Sequence, residues 1–353
     1  MKAYLALEDG TIFEGNSVGA KGEVIGEIVF NTGTSSYQEV LVDPSYYGLI
    51  VTMTYPLIGN YGINTEDIQD VTPKVKGLVV RELCSKPSNW RSTETLGHYL
   101  ERNSIVAIEG IDTRALTRVV RENGSMRAII STRDDFDFEN KKQDILNHGI
   151  VNPVEKVTTD EIKRFPGTGH RVALIDYGTN PNIIKSLLRR NCEVIVFPSK
   201  TPSRQILDEK PDGILLSNGP GNPKECIQEI QTVKELLGKK PIFGICLGHL
   251  ILALASGGDT TKLKYGHRGS NHPVKDLQKN ITYITTQNHG YTVTEDSITG
   301  LSAEISHKNM NDGSIEGLIY QEIPAFSVQF HPEAAPGPTE TAHLYDKFID
   351  IMG

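Results

Sequence analysis

The stretch Pro241-Ile242-Phe243-Gly244-Ile245-Cys246-Leu247-Gly248-His249-Leu250 constrains this chain more than any other. Its first half is apolar, partly β-branched and bounded by Pro and Gly, the pattern of a buried central strand. Apolar residues then recur at helical spacing and stop at Gly257-Gly258, so a helix follows at once. Such a junction must turn sharply. Glycine at 244 and 248 removes the Cβ that would crowd the turn, and the side chain between them is pushed out at the carboxyl end of the sheet. Cys246 therefore stands where a nucleophile belongs. The Leu247 N–H can donate to a developing oxyanion, while the positive end of the helix dipole favours thiolate over thiol.

A chain of 353 residues exceeds one ordinary core, and two domains are expected. No apolar run approaches the roughly 20 residues of a membrane helix, and the opening MKAYLALEDG is acidic by Glu8. Neither a membrane span nor a secretory signal is expected, and the protein reads as cytoplasmic. A net charge of -8 without a basic cluster argues against nucleic acid as the main partner. Cys84, Cys192, Cys226 and Cys246 have no C-x-x-C spacing, so neither a zinc site nor a disulfide framework is expected, and no metal ligands are assigned.

In chain order, β-like runs come first: Ala3 to Leu7, Thr11 to Glu14, Glu27 to Asn31, Ile50 to Tyr55 and Gly77 to Arg81. Helical spacing covers Ser92 to Asn103 and Asp112 to Glu122, the second capped by Asp112 or Thr113. Residues 1–150 thus read as a mixed α/β domain. Periodicity fades from Asn152 to His170, and residues 151–170 read as a linker. Beyond it, strands and helices alternate up to Cys246, which predicts a parallel sheet with crossover helices in residues 171–353. After the elbow helix the pattern becomes shorter strands and turns, then a helix from about Thr339 to Ile351.

A cysteine nucleophile needs a base, and the base needs a partner to fix its tautomer. Among ten histidines His331 fits best, because Phe326 to Phe330 alternates as a strand and delivers it, with Pro332 and Glu333, to a strand end. Glu333 can reach back across the Pro turn to the imidazole. Ser217-Asn218-Gly219-Pro220-Gly221-Asn222-Pro223 follows the strand DGILL, and its constrained residues can present N–H groups to an oxyanion.

Those three segments resemble the class I (triad) glutamine amidotransferase domain over about residues 171–353. The amino-terminal half narrows the likeness. Tyr37 to Tyr46, Thr54 to Gly62 and Gly110 to Arg114, with Gly266 to Pro273 and Gln287 to Tyr291, resemble the small (glutaminase) subunit family of carbamoyl-phosphate synthetase. The resemblance implies an α/β fold: an amino-terminal mixed α/β domain, then an amidotransferase domain whose largely parallel sheet is flanked by helices. It also implies that Cys246 attacks L-glutamine, that His331 moves the proton and that Glu333 orients His331. By the same likeness the N–H groups of Leu247 and Gly221 form the oxyanion hole, and Gly219, Asn288, Gly290, Tyr291 and Ser45 hold the amino-acid end of the substrate. Ammonia would pass to a large subunit that joins it to bicarbonate, in a heterodimer or a higher oligomer, for arginine or pyrimidine synthesis. ATP and Mg2+ belong to that subunit, since this chain has no G-x-x-x-x-G-K-[ST] loop and no cofactor of its own is implied.

Two positions depart from the family pattern. Leu250 stands where Cys-Leu-Gly-His normally continues to Gln, and an apolar side chain cannot supply that residue's hydrogen bonds to substrate. Gly33-Thr34-Ser35-Ser36 replaces a Met-Thr-Gly run and is expected to be a loop variation. Leu250 keeps open a glutaminase-impaired structural or regulatory subunit; a γ-glutamyl cysteine hydrolase would use the same triad. His249, on the elbow helix, is expected to be structural, and His267, His272 and His289 to make structural hydrogen bonds rather than bind metal.

Overall fold

Short apolar runs separated by glycine turns leave unpaired edges, and in the amino-terminal half closure removes them. The computed structural model describes residues 1–65 and 72–353. It divides into two compact units, Met1–Val151 and Asn152–Gly353. Among the described residues the first holds nine strands: β1 (Lys2–Leu7), β2 (Ile12–Ser17), β3 (Glu23–Asn31), β4 (Leu49–Met53), β5 (Leu57–Ile58), β6 (Gly77–Val79), β7 (Glu82–Leu83), β8 (Val106–Glu109) and β9 (Met126–Ser131). Seven of them close a barrel in the order β1-β2-β8-β6-β4-β3-β9, while β5 and β7 pair separately. Within the barrel β3, β4, β6 and β8 run parallel to their neighbours in that series.

Helices α1 (Tyr37–Val42), α2 (Leu96–Arg102), α3 (Thr113–Asn123) and α4 (Phe138–Asn147) complete the unit. The sequence placed α2 a turn too early: Thr95 accepts from the His98 N–H and starts the helix there. Asp112 caps α3 by accepting from the Ala115 N–H at 2.9 Å, and Leu116 and Val120 turn into the core. The mixed α/β reading stands, with closure as the unforeseen part.

The second unit is one ten-stranded sheet. Its strands are β10 (Lys163–Phe165), β11 (Arg171–Asp176), β12 (Glu193–Pro198), β13 (Gly213–Leu216), β14 (Ile242–Ile245), β15 (Thr260–Asp276), β16 (Ile281–Val293), β17 (Ala303–Asn309), β18 (Ile315–Tyr320) and β19 (Ala325–Val328). They are ordered β10-β12-β11-β13-β14-β19-β18-β17-β15-β16. The five strands from β12 to β19 in that order are parallel. Helices α5 (Pro181–Leu188), α6 (Ser203–Asp208), α7 (Ile227–Leu236), α8 (Leu247–Ala255), α9 (Glu295–Ile298) and α10 (His343–Met352) accompany it. Each central strand is buried throughout, as a doubly covered parallel sheet requires.

Two sequence readings are revised here. The stretch taken as a linker packs with the second unit, where Lys163–Phe165 adds an antiparallel edge strand to β12. Its backbone pairing, rather than any side-chain periodicity, holds it. The strands after the elbow helix, expected to be short, include two long ones, β15 of 17 residues and β16 of 13, while β18 and β19 are short as expected. Register shifts between Lys262 and His267 and between Gly269 and His272 break the period-2 alternation that would have revealed β15 as one strand. Among the described residues, no helix is long and apolar enough to cross a membrane.

Candidate active site

Three strands that lie side by side deliver the site. β13, β14 and β19 are parallel neighbours, so their carboxyl ends open at one edge of the sheet. The Gly219-Pro220-Gly221 loop follows β13, Cys246 follows β14, and His331 and Glu333 follow β19.

Cys246 has φ 55 and ψ -104, a left-handed conformation that a residue with a Cβ rarely adopts. The turn is fixed from both sides: the Cys246 N–H donates to Val328 O at 2.9 Å, and the Gly248 N–H donates to Ser217 O at 2.9 Å. Both flanking glycines are required by space. A Cβ on Gly244 would lie 2.8 Å from Gly248 O, and one on Gly248 would lie 2.3 Å from Leu216 O. Helix α8 therefore presses directly on β13 and starts immediately after Cys246.

His331 and Glu333 are both buried, and His331 Nδ1 donates to Glu333 Oε1 at 2.8 Å. Burial alone would make the imidazole less basic, but the Glu333 carboxylate and the nearby Cys246 sulfur raise its pKa well above the ordinary value. The ring is thus held as a strong base with Nδ1 committed to Glu333. The His331 N–H donates to Thr286 O at 2.9 Å, which pins the strand end to β16. The Cys246 thiol donates to Asn288 O at 3.6 Å, so the same strand reaches Cys246.

The glycine loop is equally tight. A Cβ on Gly219 would meet Tyr177 O at 2.3 Å and Leu247 Cδ2 at 2.8 Å, so this loop lies against the first residue of α8. Gly221 has φ +94, which favours glycine. Ser217, which the sequence offered only as part of the loop, is a brace: its Oγ accepts from the Tyr177 N–H at 2.9 Å while its carbonyl holds Gly248. Its place between strand and glycine loop was the available signal.

The structure brings together Cys246, His331, Glu333, Leu247, Gly219 and Asn288, places Gly221 two residues further along the glycine loop, and carries Gly290 and Tyr291 on the same strand β16 as Asn288. Ser45 belongs to the first unit, where it is buried on a 3-10 turn with its N–H donated to Asp43. Leu250 is buried within the core that contains Tyr177 and Leu247. His249 is fully buried, its Nδ1 lies 2.8 Å from Ser327 Oγ, and burial lowers its pKa to about 3. A ring so weakly basic and tied to Ser327 is a poor proton acceptor, consistent with a structural role.

Behind β16 the structure assembles a cluster that sequence spacing could not reveal. His267 on β15, His289 on β16 and Glu316 on β18 offer ligand atoms within 4.8 Å of one another, and these three could hold a cation. The group is already charge-compensated without one. His267 Nε2 lies 2.8 Å from Asp312 Oδ2 and its Nδ1 lies 3.5 Å from Glu316 Oε1. Burial opposes the imidazolium, yet the two carboxylates raise the His267 pKa to about 9. The unfolded value is 6.5, so this stabilisation is complete below about 6.5 and disappears as pH rises through about 9. Melting temperatures should therefore fall over that window in the wild type and change less in His267→Gln. Equal pH dependence in the two proteins would remove His267 as the titrating group.

A glycine-flanked cysteine, a buried His–Glu pair and facing loop amides are the apparatus of an acyl-transferring cysteine enzyme. Residues 173–351 match the glutamine amidotransferase class-I family, which defines the class of this unit. Residues 5–130 match the CPSase domain of the carbamoyl-phosphate synthase small chain. The chain is 50% identical over 349 residues to the carbamoyl phosphate synthase small chain of Clostridium perfringens, covering 99% of both chains. It is also 50% identical to the pyrimidine-specific small chain of Halalkalibacterium halodurans, covering 100% of this chain and 97% of that one. Against the pyrimidine-specific small chain of Bacillus subtilis the identity is 49%, over 100% of this chain and 96% of the other. The chain belongs to the carbamoyl-phosphate synthase small chain family.

Proposed function

We propose that this chain is the glutaminase subunit of a carbamoyl-phosphate synthase and that Cys246, His331 and Glu333 are its triad. The observation that supports this best is the convergence of the three at adjacent strand ends, with His331 tied to Glu333 at 2.8 Å. Cys246 Sγ attacks the side-chain amide carbon of L-glutamine as His331 takes the thiol proton. The resulting oxyanion faces the N–H groups of Leu247 and Gly221. Collapse breaks the C–N bond, and His331 returns its proton to the departing ammonia. Water, deprotonated by the same imidazole, then hydrolyses the γ-glutamyl thioester and frees glutamate. Gly219, Asn288, Gly290 and Tyr291 hold the amino-acid end of the substrate. Ammonia passes to a large subunit, which holds ATP and Mg2+ and makes carbamoyl phosphate for arginine or pyrimidine synthesis.

Glutamate release by the purified chain, alone and with a large chain, tests this reading. Release that rises with the partner supports it; none in either state, from a folded protein, sinks it. Leu250 favours a weaker version, in which the assembly uses glutamine poorly. A lost hydrogen bond to a charged ligand group amounts to about 1.5–3 kcal/mol, or about one to two decades of affinity. Leu250→Gln should accordingly lower the KM for glutamine by about one to two decades at similar kcat. Identical KM values would show that Leu250 imposes no such penalty.

A further inference from the structure

The barrel unit carries a second concave site with a different character. A cleft of about 630 Å3 opens at the carboxyl ends of the parallel neighbours β4 and β6, beside the start of α3. Arg81, Arg114, Arg118 and Arg121 line it, with Thr54 and Thr117, and among the described residues no carboxylate does. All four arginines are exposed. Those at 81, 114 and 118 make no side-chain hydrogen bond or salt bridge among the described residues.

This accumulation runs against what α3 would choose for itself. Arg114 sits in the first turn, where the helix dipole disfavours a cation, and Arg114 and Arg118 are like charges at i,i+4. The opposite face, Leu116 and Val120, already secures the helix to the core. Packing therefore does not explain the arginines. The chain as a whole has a net charge of -8, so a cleft of four cations is a local reversal of its field.

We infer that this arginine cleft docks an acidic surface of the large synthase chain. The inference rests on the subunit reading above. A small anion would be enclosed over most of its surface in a dedicated pocket, whereas these guanidinium groups stand exposed to solvent, open to a broad partner surface. A net-negative small chain approaching acidic side chains is repelled overall, and a positive cleft reverses that repulsion locally and sets the orientation of docking.

The test is association of the full chain with its large chain at about 50 mM and about 500 mM NaCl. Arg114→Glu with Arg118→Glu should weaken association at least ~30-fold at low salt and remove most of its salt dependence. Glutamate release by the uncomplexed chain and its melting temperature should stay at wild-type values. Arg114→Lys with Arg118→Lys should keep most of the affinity. Unchanged association in the glutamate pair overturns the proposal, as does equal loss in the lysine pair. Failure of the wild type to bind a large chain overturns the subunit reading, and the cleft assignment with it.

Discussion

Cys246→Ser is expected to lower glutamine-dependent carbamoyl phosphate synthesis at least ~10^4-fold while leaving ammonium-dependent synthesis by the complex intact. The serine side chain fits the same elbow, so the fold should not change. What it lacks is an accessible anion: a hydroxyl loses its proton far less readily than a thiol, even beside a base as strong as His331. Both activities would be measured on the assembled enzyme, with glutamate release as the direct readout. Equal loss with ammonium as donor would mean that the substitution damages assembly and that Cys246 is not the nucleophile.

The second large effect is structural. Gly248→Ala should destabilise the chain by about 3 kcal/mol or more, because its Cβ would stand 2.3 Å from Leu216 O and 2.6 Å from Leu216 Cβ. Neither neighbour is the far end of a flexible side chain, so no rotamer change relieves the contact. The helix would have to lift from β13, which would also disturb the Gly248 to Ser217 hydrogen bond and the Leu247 N–H. Denaturant melts of the purified variant measure this directly. A melt within about 0.5 kcal/mol of wild type would show that the elbow has slack that its geometry does not reveal.

Much of the candidate site's geometry is legible in the sequence, for a local reason. The elbow is defined by five consecutive residues, and a sharp strand-to-helix turn leaves few residue types besides glycine at 244 and 248. His331 and Glu333 are two apart, and the alternation from Phe326 announces the strand that ends at them. Barrel closure was less legible. It depends on β1 pairing with β9, more than a hundred residues away, and no local pattern encodes a partner at that distance.

The sequence by itself determined the glycine-flanked elbow around Cys246, the placing of His331 beside Glu333 at a strand end, the parallel core and the family likeness, since each rests on residues adjacent or nearly adjacent in the chain. Tertiary structure alone decided that Ser217 braces the elbow, that Asn288 and Thr286 on β16 reach Cys246 and His331, and that Glu316 and Asp312 charge His267. It also decided that arginines from three turns of α3 and from the end of β6 share one cleft. The physical reason is the same in each case: hydrogen bonds and electrostatic fields act across space, between side chains whose separation along the chain carries no trace of their meeting.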